Sequence, residues 1–380
     1  MLKLEIKNFK CFRDIVVPIN YLSVFTGCNG NGKSTAIQAL LFLRHTIEHC
    51  AKRKENHFNY DEINGLNVEL NGAYCLNLGN SAYVLPVDSE SLEVSLGIFD
   101  EYNKFSLNYS TNTGKELWLT PKGPLINEFK DNPLYFQEFY YLNAERIGPR
   151  LFQPVKFYDY YNVGFQGEYT AQIMATLNRD FYDFKVDEER ANKPLLQGSH
   201  FGHHVNAWLD FILQGVSVVA LYDNETHHIA RIEVQNPFLK GNSVVPTNTG
   251  FGISYALPII VSGLIAKKDR LFIVENPEAH LHPSAQSKMG HFLGVIANAG
   301  VRVIVETHSD HIINGIQLAV AKKIIAHKNV TINFFNRQEK EQPEIIQIDI
   351  TEKGELTQWP SGFFDQSQKD FAELFKIRRE

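Results

Sequence analysis

The feature that most constrains the fold of this chain is the stretch GCNGNGKS at residues 27–34. It fits the pattern GxxxxGK[ST], whose glycines let the backbone fold around phosphate oxygens with its N–H groups pointing inward. The apolar segment YLSVFTG runs into it, and AIQALLFLRHTIEHC, which has the apolar spacing of a helix, follows it. A strand, a phosphate loop and a helix in this order predict a nucleotide-binding α/β fold.

The side chains of this loop have distinct predicted roles. Lys33 is expected to reach the β and γ phosphates, and the Ser34 hydroxyl to bind magnesium. The chain carries no NKxD-type guanine motif, so we expect ATP with Mg²⁺ rather than GTP. The predicted nucleotide contacts in this segment are Gly27, Asn29, Gly30, Asn31, Gly32, Lys33, Ser34 and Thr35.

Two further apolar segments end in polar residues and are predicted to be strands. LFIVENPE ends in Glu275, which is expected to hold magnesium directly or through water. VRVIVETHSD places Thr307, His308 and Ser309 at the carboxyl edge of the sheet, where ligands bind in open α/β folds. We expect His308 to sense or polarise the γ-phosphate.

Three other patterns leave alternatives open. NTGFGIS, residues 248–254, is a glycine loop at the start of a helix; it either binds a neighbouring subunit's nucleotide or is a simple helix cap, and spacing alone does not decide. Arg146 and Arg150 in AERIGPR lie at a strand exit and could approach phosphate or a partner. His280 and His282 lack cysteine or carboxylate ligands at metal-site spacing, so they are interpreted as surface histidines.

Composition narrows the class of protein. A net charge of −6 gives no global attraction to nucleic acid, so any DNA contact would need a local patch. Four cysteines without a CxxC pair fit free thiols in a reducing compartment. The longest apolar run is shorter than a membrane helix requires, and the N-terminus lacks a signal-peptide core, so we expect a cytoplasmic protein without membrane contact.

The order of predicted elements indicates one domain over residues 1–380 with two insertions. Strands alternate with helices over most of the chain, which predicts a mostly parallel sheet flanked by helices. Residues 52–135 differ, with short alternating segments typical of strands, and are interpreted as a β-rich insertion. Residues 151–215 are interpreted as a mainly helical insertion.

The motifs occur in a familiar order. GCNGNGKST, NTGFGIS, ENPEAHLHP and ETHSDH resemble those of ABC-type ATPases of the SMC, RecF and OLD group. AERIGPR, GFQGEYTAQ and the tail WPSGFFDQ are similar, more narrowly, to a family of small bacterial AAA-type ATPases. The resemblance covers nearly the whole chain except the β-rich stretch before about residue 135. It implies a P-loop NTPase of the ABC-head type.

The resemblance also implies a homodimer, or a higher homo-oligomer, that closes over two ATP molecules. In that group the signature loop of one subunit completes the other subunit's site. This role passes to the residues of NTGFGIS that match the motif, and the switch-histidine role passes to His308; Gln166 is a weaker candidate for the glutamine loop. The signature residues are Thr249, Gly250, Phe251 and Gly252.

The ENPE stretch departs from the usual form of this family, DEPExHLHP. There the first acid binds magnesium and the second polarises water; here Glu275 and Asn276 occupy those positions. An amide cannot take a proton from water, so we assign the base to Glu278, assisted by His308. If Glu278 is structural instead, Asn276 implies slow turnover.

Several functions fit this reading. The first is an ATPase whose dimerisation gates DNA or a separate effector, commonly a nuclease, in antiphage defence or DNA maintenance. The second is a non-hydrolysing scaffold or sensor, which Asn276 favours. A self-contained nuclease of the OLD type is disfavoured because only about 70 residues follow ETHSD, too few for a fused nuclease domain. A transporter subunit is disfavoured by the long insertion.

Overall fold

The computed structural model describes most of the chain. Its helices are α1 (Lys33–Cys50), α2 (Thr170–Leu177), α3 (Phe201–Leu213), α4 (Phe251–Ile265), α5 (Pro283–Asn298), α6 (Asp310–Ala321) and α7 (Gln366–Ile377). Within the described residues, none of the helices combines the length and apolar character needed to cross a membrane. The described residues are 1–54, 57–59, 66–122, 131–179, 184–192, 200–223, 228–235, 238, 241–337 and 342–378.

A mostly parallel sheet carries the phosphate loop. Its strand order is β10-β15-β16-β3-β17-β18, and all neighbouring pairs are parallel except β17 with β18. The strand that leads into the phosphate loop, β3, therefore lies between β16 and β17, two strands that come far later in the sequence. These strands are β3 (Leu22–Gly27), β10 (Tyr140–Leu142), β15 (Leu271–Glu275), β16 (Arg302–Glu306), β17 (Val330–Asn336) and β18 (Glu344–Ile348).

A second, antiparallel sheet joins the N-terminus to the predicted β-rich segment. Its order is β2-β1-β7-β8-β9-β6, and Leu4 of β1 pairs with Ile98 of β7. The strands between residues 66 and 122 thus continue the N-terminal hairpin, while residues 55–56, 60–65 and 123–130 of this segment lie outside the described residues. The strands are β1 (Leu2–Phe9), β2 (Phe12–Ile19), β6 (Val68–Glu69), β7 (Glu93–Phe99), β8 (Lys104–Ser110) and β9 (Trp118–Lys122).

Residues 151–215 contain α2 and α3 but less helix, within their described part, than the sequence predicts. Side chains satisfy backbone N–H groups locally before α2: the N–H of Gly164 donates to Asn162, and the N–H of Gln166 donates to Glu168. Such bonds offer the backbone an alternative to a helix. The remaining strands are β4 (Lys52–Lys54), β5 (His57–Asn59), β11 (Gln153–Pro154), β12 (Ser217–Asp223), β13 (Ile229–Gln235) and β14 (Ser243–Val244).

Both faces of the parallel sheet are buried. Along β15, Phe272 and Val274 belong to a core shared with α2–α6, whereas Leu271 and Ile273 belong to a core shared with α1 and the antiparallel sheet. Successive side chains of a strand point to opposite faces, so an unbroken apolar run such as LFIV suits a strand covered on both sides. The polar residue that ends the run therefore emerges at the sheet edge.

The helices that follow β15 and β16 pack unusually closely. A Cβ added at Gly315 of α6 would lie inside van der Waals contact with the carbonyl oxygen of Ser287 in α5. Backbone atoms cannot move aside as a flexible side chain can, so this position has no room for a larger residue. The close approach fixes the spacing between the loops that begin these two helices.

We expect Gly315→Ala to lower the free energy of unfolding by about 2 kcal/mol, although alanine favours a helix, because the methyl group would force α5 and α6 apart. Urea unfolding measures the change. Gly241→Ala is the matched control, since a Cβ there would meet nothing nearer than the carbonyl oxygen of Ser243 at 3.9 Å. Equal stability of the two variants would contradict the close packing.

Candidate functional site

The phosphate loop begins where β3 ends and closes where α1 begins. Gly27 has a φ of 138°, and a Cβ there would collide with the carbonyl oxygen of Phe335 in β17. Glycine at this position lets the chain leave the strand beside β17. The Asn31 amide donates to that same carbonyl oxygen at 3.0 Å and holds the loop against the sheet. Asn29 and Gly30 are exposed at the tip of the loop.

Two side chains of the first turn of α1 point back toward the loop and the sheet. The Lys33 ammonium is buried inside the loop and donates to the carbonyl oxygens of Gly27 and Cys28 at 2.9 and 3.0 Å. Burial lowers the pKa of Lys33 from its ordinary value. The Ser34 hydroxyl donates to the Glu306 carboxylate at 2.9 Å. Thr35 next to it is buried.

Two acids end adjacent parallel strands. Glu275 of β15 and Glu306 of β16 are register partners, so their side chains leave the sheet side by side. Glu275 accepts hydrogen bonds from the Tyr141 hydroxyl at 3.0 Å and from the Ala144 N–H at 3.2 Å. Burial raises the pKa of Glu275. Glu306 is 4% exposed, and burial together with the nearby Glu275 carboxylate raises its pKa to about 7.

Sequence reasoning did not identify Glu306 as a site residue. The signal is present, because Glu306 ends its apolar run VRVIV as Glu275 ends LFIV. Recognising it requires knowing that β15 and β16 are neighbours in register, which the linear sequence does not state.

Asn276 follows Glu275 in a strained backbone conformation, with a φ of 45°. Its N–H donates to the carbonyl oxygen of Glu306 at 2.8 Å. Its side-chain carbonyl oxygen is buried and has no hydrogen-bond partner in the described part of the chain. The Asn276 amide therefore lies directly beside the paired acids.

Arg146 binds main-chain oxygens of the turn that follows β15. The guanidinium is buried and donates to the carbonyl oxygens of Glu275 and Asn276 at 2.7 and 2.6 Å. Burial lowers the pKa of Arg146 to about 10. The terminal nitrogens of Arg146 thus donate to main-chain oxygens inside the protein, and its approach to phosphate or a partner stays a prediction. Arg150 is exposed.

Glu278 joins the loop after β15 to the loop after β16. One carboxylate oxygen accepts from the Thr307 hydroxyl and the other from the His308 N–H, each at 2.7 Å. Burial raises the pKa of Glu278. Partial burial and the charge of Lys33 lower the pKa of His308. The structure thus brings Glu278 and His308 together, and it uses both Glu278 oxygens to hold the histidine's loop.

The signature residues lie on the other side of the ENPEAHLHP loop. Helix α4 begins at Phe251, with Gly250 as its N-cap and no side-chain cap. The Phe251 ring is half exposed and stacks on His280, with ring centroids 5.0 Å apart. Thr249 donates its hydroxyl to the carbonyl oxygen of Pro246. The open N-terminus of α4 has the geometry that binds anions.

The oxygens at the sheet edge fit a magnesium ion that arrives with a nucleotide. Mg²⁺ prefers oxygen ligands and usually takes one or two carboxylates plus substrate phosphates. The Ser34 hydroxyl lies against one carboxylate, Glu306, and Glu275 is its register partner. Within the described ranges there is no group of three or more His, Cys, Asp or Glu residues that could hold a metal ion by itself.

A cleft of about 320 Å³ opens beside the phosphate loop. One wall comes from the loop and His308, and the other from the C-terminal segment that leads into α7. Its lining residues are Thr26, Gly27, Cys28, His308, Phe334, Gly362, Phe364, Asp365, Gln366 and Lys369. The WPSGFFDQ tail therefore borders the loop that is expected to bind phosphate.

We expect the metal-free protein to lose stability as the pH rises from about 4.5 to 7. The ordinary pKa of a glutamate is 4.5 and that of Glu306 is about 7, so the folded chain binds the extra proton in this window. Glu306→Gln should remove about 3 kcal/mol of this pH dependence. Urea unfolding with EDTA at pH 5 and 7.5 measures it, with exposed Glu352→Gln as control. Identical pH dependence in Glu306→Gln and the wild type would contradict this.

Comparison with known proteins gives two family matches. Residues 22–314 match the family described as "AAA domain, putative AbiEii toxin, Type IV TA system". Residues 325–374 match "Protein of unknown function (DUF3696)". No curated protein matches the chain.

Solved structures with a similar fold are SMC head domains. An SMC head bound to the C-winged helix domain of ScpA has a TM-score of 0.50 at 12% identity, covering 91% of this chain and 97% of its own. The SMC head of Thermotoga maritima has a TM-score of 0.42 at 13% identity, covering 92% and 98%. A Pyrococcus furiosus SMC head with an extended coiled coil has 0.48 at 12% identity, covering both chains fully.

The first of these structures matches over nearly the whole chain and supports the same fold, and the first family match spans more than half of the sequence. Both findings confirm the fold class and the resemblance predicted from the order of motifs. The chain belongs to the AAA-domain family of the AbiEii type and has the P-loop fold of ABC-type, SMC/RecF/OLD-like ATPases.

Proposed function

We propose that this chain binds ATP with Mg²⁺, hydrolyses it, and closes as a homodimer around two ATP molecules to control a partner. The observation that carries the proposal is the hydrogen bond from the Ser34 hydroxyl to Glu306, beside Glu275, at the carboxyl edge of the parallel sheet. Three segments that are distant in sequence supply a phosphate loop and paired acids at one place. ATP chemistry needs this combination of groups.

The chain's own residues account for nucleotide binding. The loop N–H groups and the start of α1 receive the phosphates, and the Lys33 ammonium turns from the Gly27 and Cys28 carbonyls to the phosphate oxygens. Ser34 and Glu275 are the proposed magnesium ligands. Bound Mg²⁺ supplies charge neutralisation of the phosphate chain. His308, whose N–H donates to Glu278, is proposed to approach the terminal phosphate.

The signature residues are proposed to act on the nucleotide of the other subunit. The N-terminus of α4 is open at Gly250, and Phe251 beside it is half exposed. An uncapped helix start with its free N–H groups attracts a phosphate carried by a second copy. Two copies facing each other would then complete each other's sites.

One similar structure supports the proposal of a separate protein partner. That structure holds an SMC head bound to the C-winged helix domain of ScpA. We propose that this chain gates a separate effector protein, such as a nuclease, or DNA, in antiphage defence or DNA maintenance in the cytoplasm. The net charge of −6 means that a DNA contact would rest on a local basic patch.

Asn276 supports a second candidate function, a scaffold or sensor that binds ATP without hydrolysing it. Its amide stands where the family has a carboxylate, and its side-chain oxygen is unpartnered in the described residues. The same assay separates the two functions. ATP binding without phosphate release, with or without DNA, would favour the scaffold.

We expect the wild-type chain to release phosphate from ATP in the presence of Mg²⁺ and Lys33→Ala to do so at least about 100-fold more slowly. The ammonium neutralises charge on the transferring phosphate, and alanine does not. A steady-state phosphate-release assay measures both. Exposed Lys353→Ala is the control and should match the wild type. Equal rates for Lys33→Ala and wild type would show that another protein in the preparation is responsible.

We expect Gly250→Asp to weaken ATP-dependent dimerisation at least about 10-fold, because the new carboxylate would face the partner's phosphate. A Cβ at Gly250 meets nothing within 4 Å, and Asp is a favourable N-cap, so the variant should fold normally. Analytical ultracentrifugation with a non-hydrolysable ATP analogue measures the dimer.

The uncharged control for that experiment is Gly250→Ser, which adds a capping side chain without charge. The two variants should keep the same thermal stability and the same affinity of the monomer for nucleotide. Equal dimerisation of Gly250→Asp and Gly250→Ser would reject the signature role of residues 249–252.

A further inference from the structure

The residue that activates water is an open question in this site, because the position after Glu275 holds an amide. Asn276 cannot accept a proton from water at neutral pH, and its backbone is fixed by bonds to Glu306 and Arg146. A carboxylate from elsewhere in the fold must therefore serve if the chain hydrolyses ATP, and this inference rests on that proposed function.

Two of the three acids at the sheet edge accept a hydrogen bond on each carboxylate oxygen. Glu275 accepts from the Tyr141 hydroxyl and the Ala144 N–H on separate oxygens. Glu278 accepts from the Thr307 hydroxyl and the His308 N–H, again on separate oxygens. Moving Glu278 toward a water molecule would release the loop that carries the switch histidine, so its contacts favour a positioning role.

Glu306 differs from both. One of its oxygens accepts from the Ser34 hydroxyl at 2.9 Å, and within the described part of the chain no residue donates to the other. Its strand, β16, lies between β15 and β3, and its register partners are Glu275 on one side and Phe25 on the other. Ser34 stands in the first turn of α1, so a carboxylate bonded to it is beside the position of the terminal phosphates.

We propose that Glu306 is the catalytic carboxylate of this ATPase and takes the place of the acid that Asn276 lacks. Glu306 orients a water molecule and accepts one of its protons as the water oxygen forms a bond to the γ-phosphorus. The bond from that phosphorus to the β–γ bridging oxygen breaks, and its electron pair stays on ADP. The proton on Glu306 then passes to the released phosphate or to solvent.

The test compares Glu306→Gln, Glu278→Gln and the wild type as full chains. Single-turnover reactions with protein in excess over ATP detect slow hydrolysis, and binding of a fluorescent ATP analogue at increasing Mg²⁺ gives affinity and magnesium requirement. We expect Glu306→Gln to hydrolyse ATP at least about 100-fold more slowly than the wild type. Its nucleotide affinity, its half-saturating Mg²⁺ and its thermal stability in the presence of nucleotide should stay near those of the wild type. An ATP-bound dimer should accumulate.

Each contrary outcome has a separate meaning. Near-normal hydrolysis by Glu306→Gln with loss in Glu278→Gln would return the base to Glu278 and overturn the proposal. A raised magnesium requirement in Glu306→Gln would make Glu306 a magnesium ligand and also overturn it. Absence of hydrolysis in the wild type despite ATP binding would reject the proposed ATPase function itself, and this assignment with it.

Discussion

The hydrogen-bonded register of β15, β16 and β3 is the constraint on which the site depends. Parallel pairing aligns the carboxyl ends of these strands, so Glu275, Glu306 and the phosphate loop emerge along one edge. A shift of one residue in β16 would turn Glu306 into the core and bring an apolar side chain to the edge. Placing the Glu306 carboxylate in the apolar core would make that shift costly, so core packing fixes the chemistry at the edge.

Like charges crowd this edge, and the surroundings only partly offset them. Burial and the neighbouring Glu275 carboxylate raise the pKa of Glu306, while buried Arg146 and Lys33 are near but donate to main-chain carbonyls. A cation at this edge would stabilise the ionised form of these carboxylates. A nucleotide that brings Mg²⁺ supplies that cation together with groups that displace Lys33 from its carbonyl partners.

Much of the fold and part of the site could be predicted from the sequence. The phosphate loop and strand β15 were evident because their signals are local, a glycine pattern and an apolar run. Glu306 is not evident from the sequence because its position depends on which strands are neighbours, and the contacts of Arg146 are not evident because its acceptors are carbonyls 129 and 130 residues away. The pairing of β1 with β7 is likewise a long-range contact, and no local pattern in residues 52–135 predicts it.

The ENPEAHLHP loop contacts α4, which carries the proposed signature residues, on one side and His308, the proposed switch histidine, on the other. His280 stacks on Phe251, and only two residues earlier Glu278 holds the N–H of His308. In a closed dimer, Phe251 would adjoin the partner's nucleotide and His308 the subunit's own. One short segment would then transmit strain between the two ATP sites, so that occupancy of one alters the affinity of the other and the pair responds cooperatively.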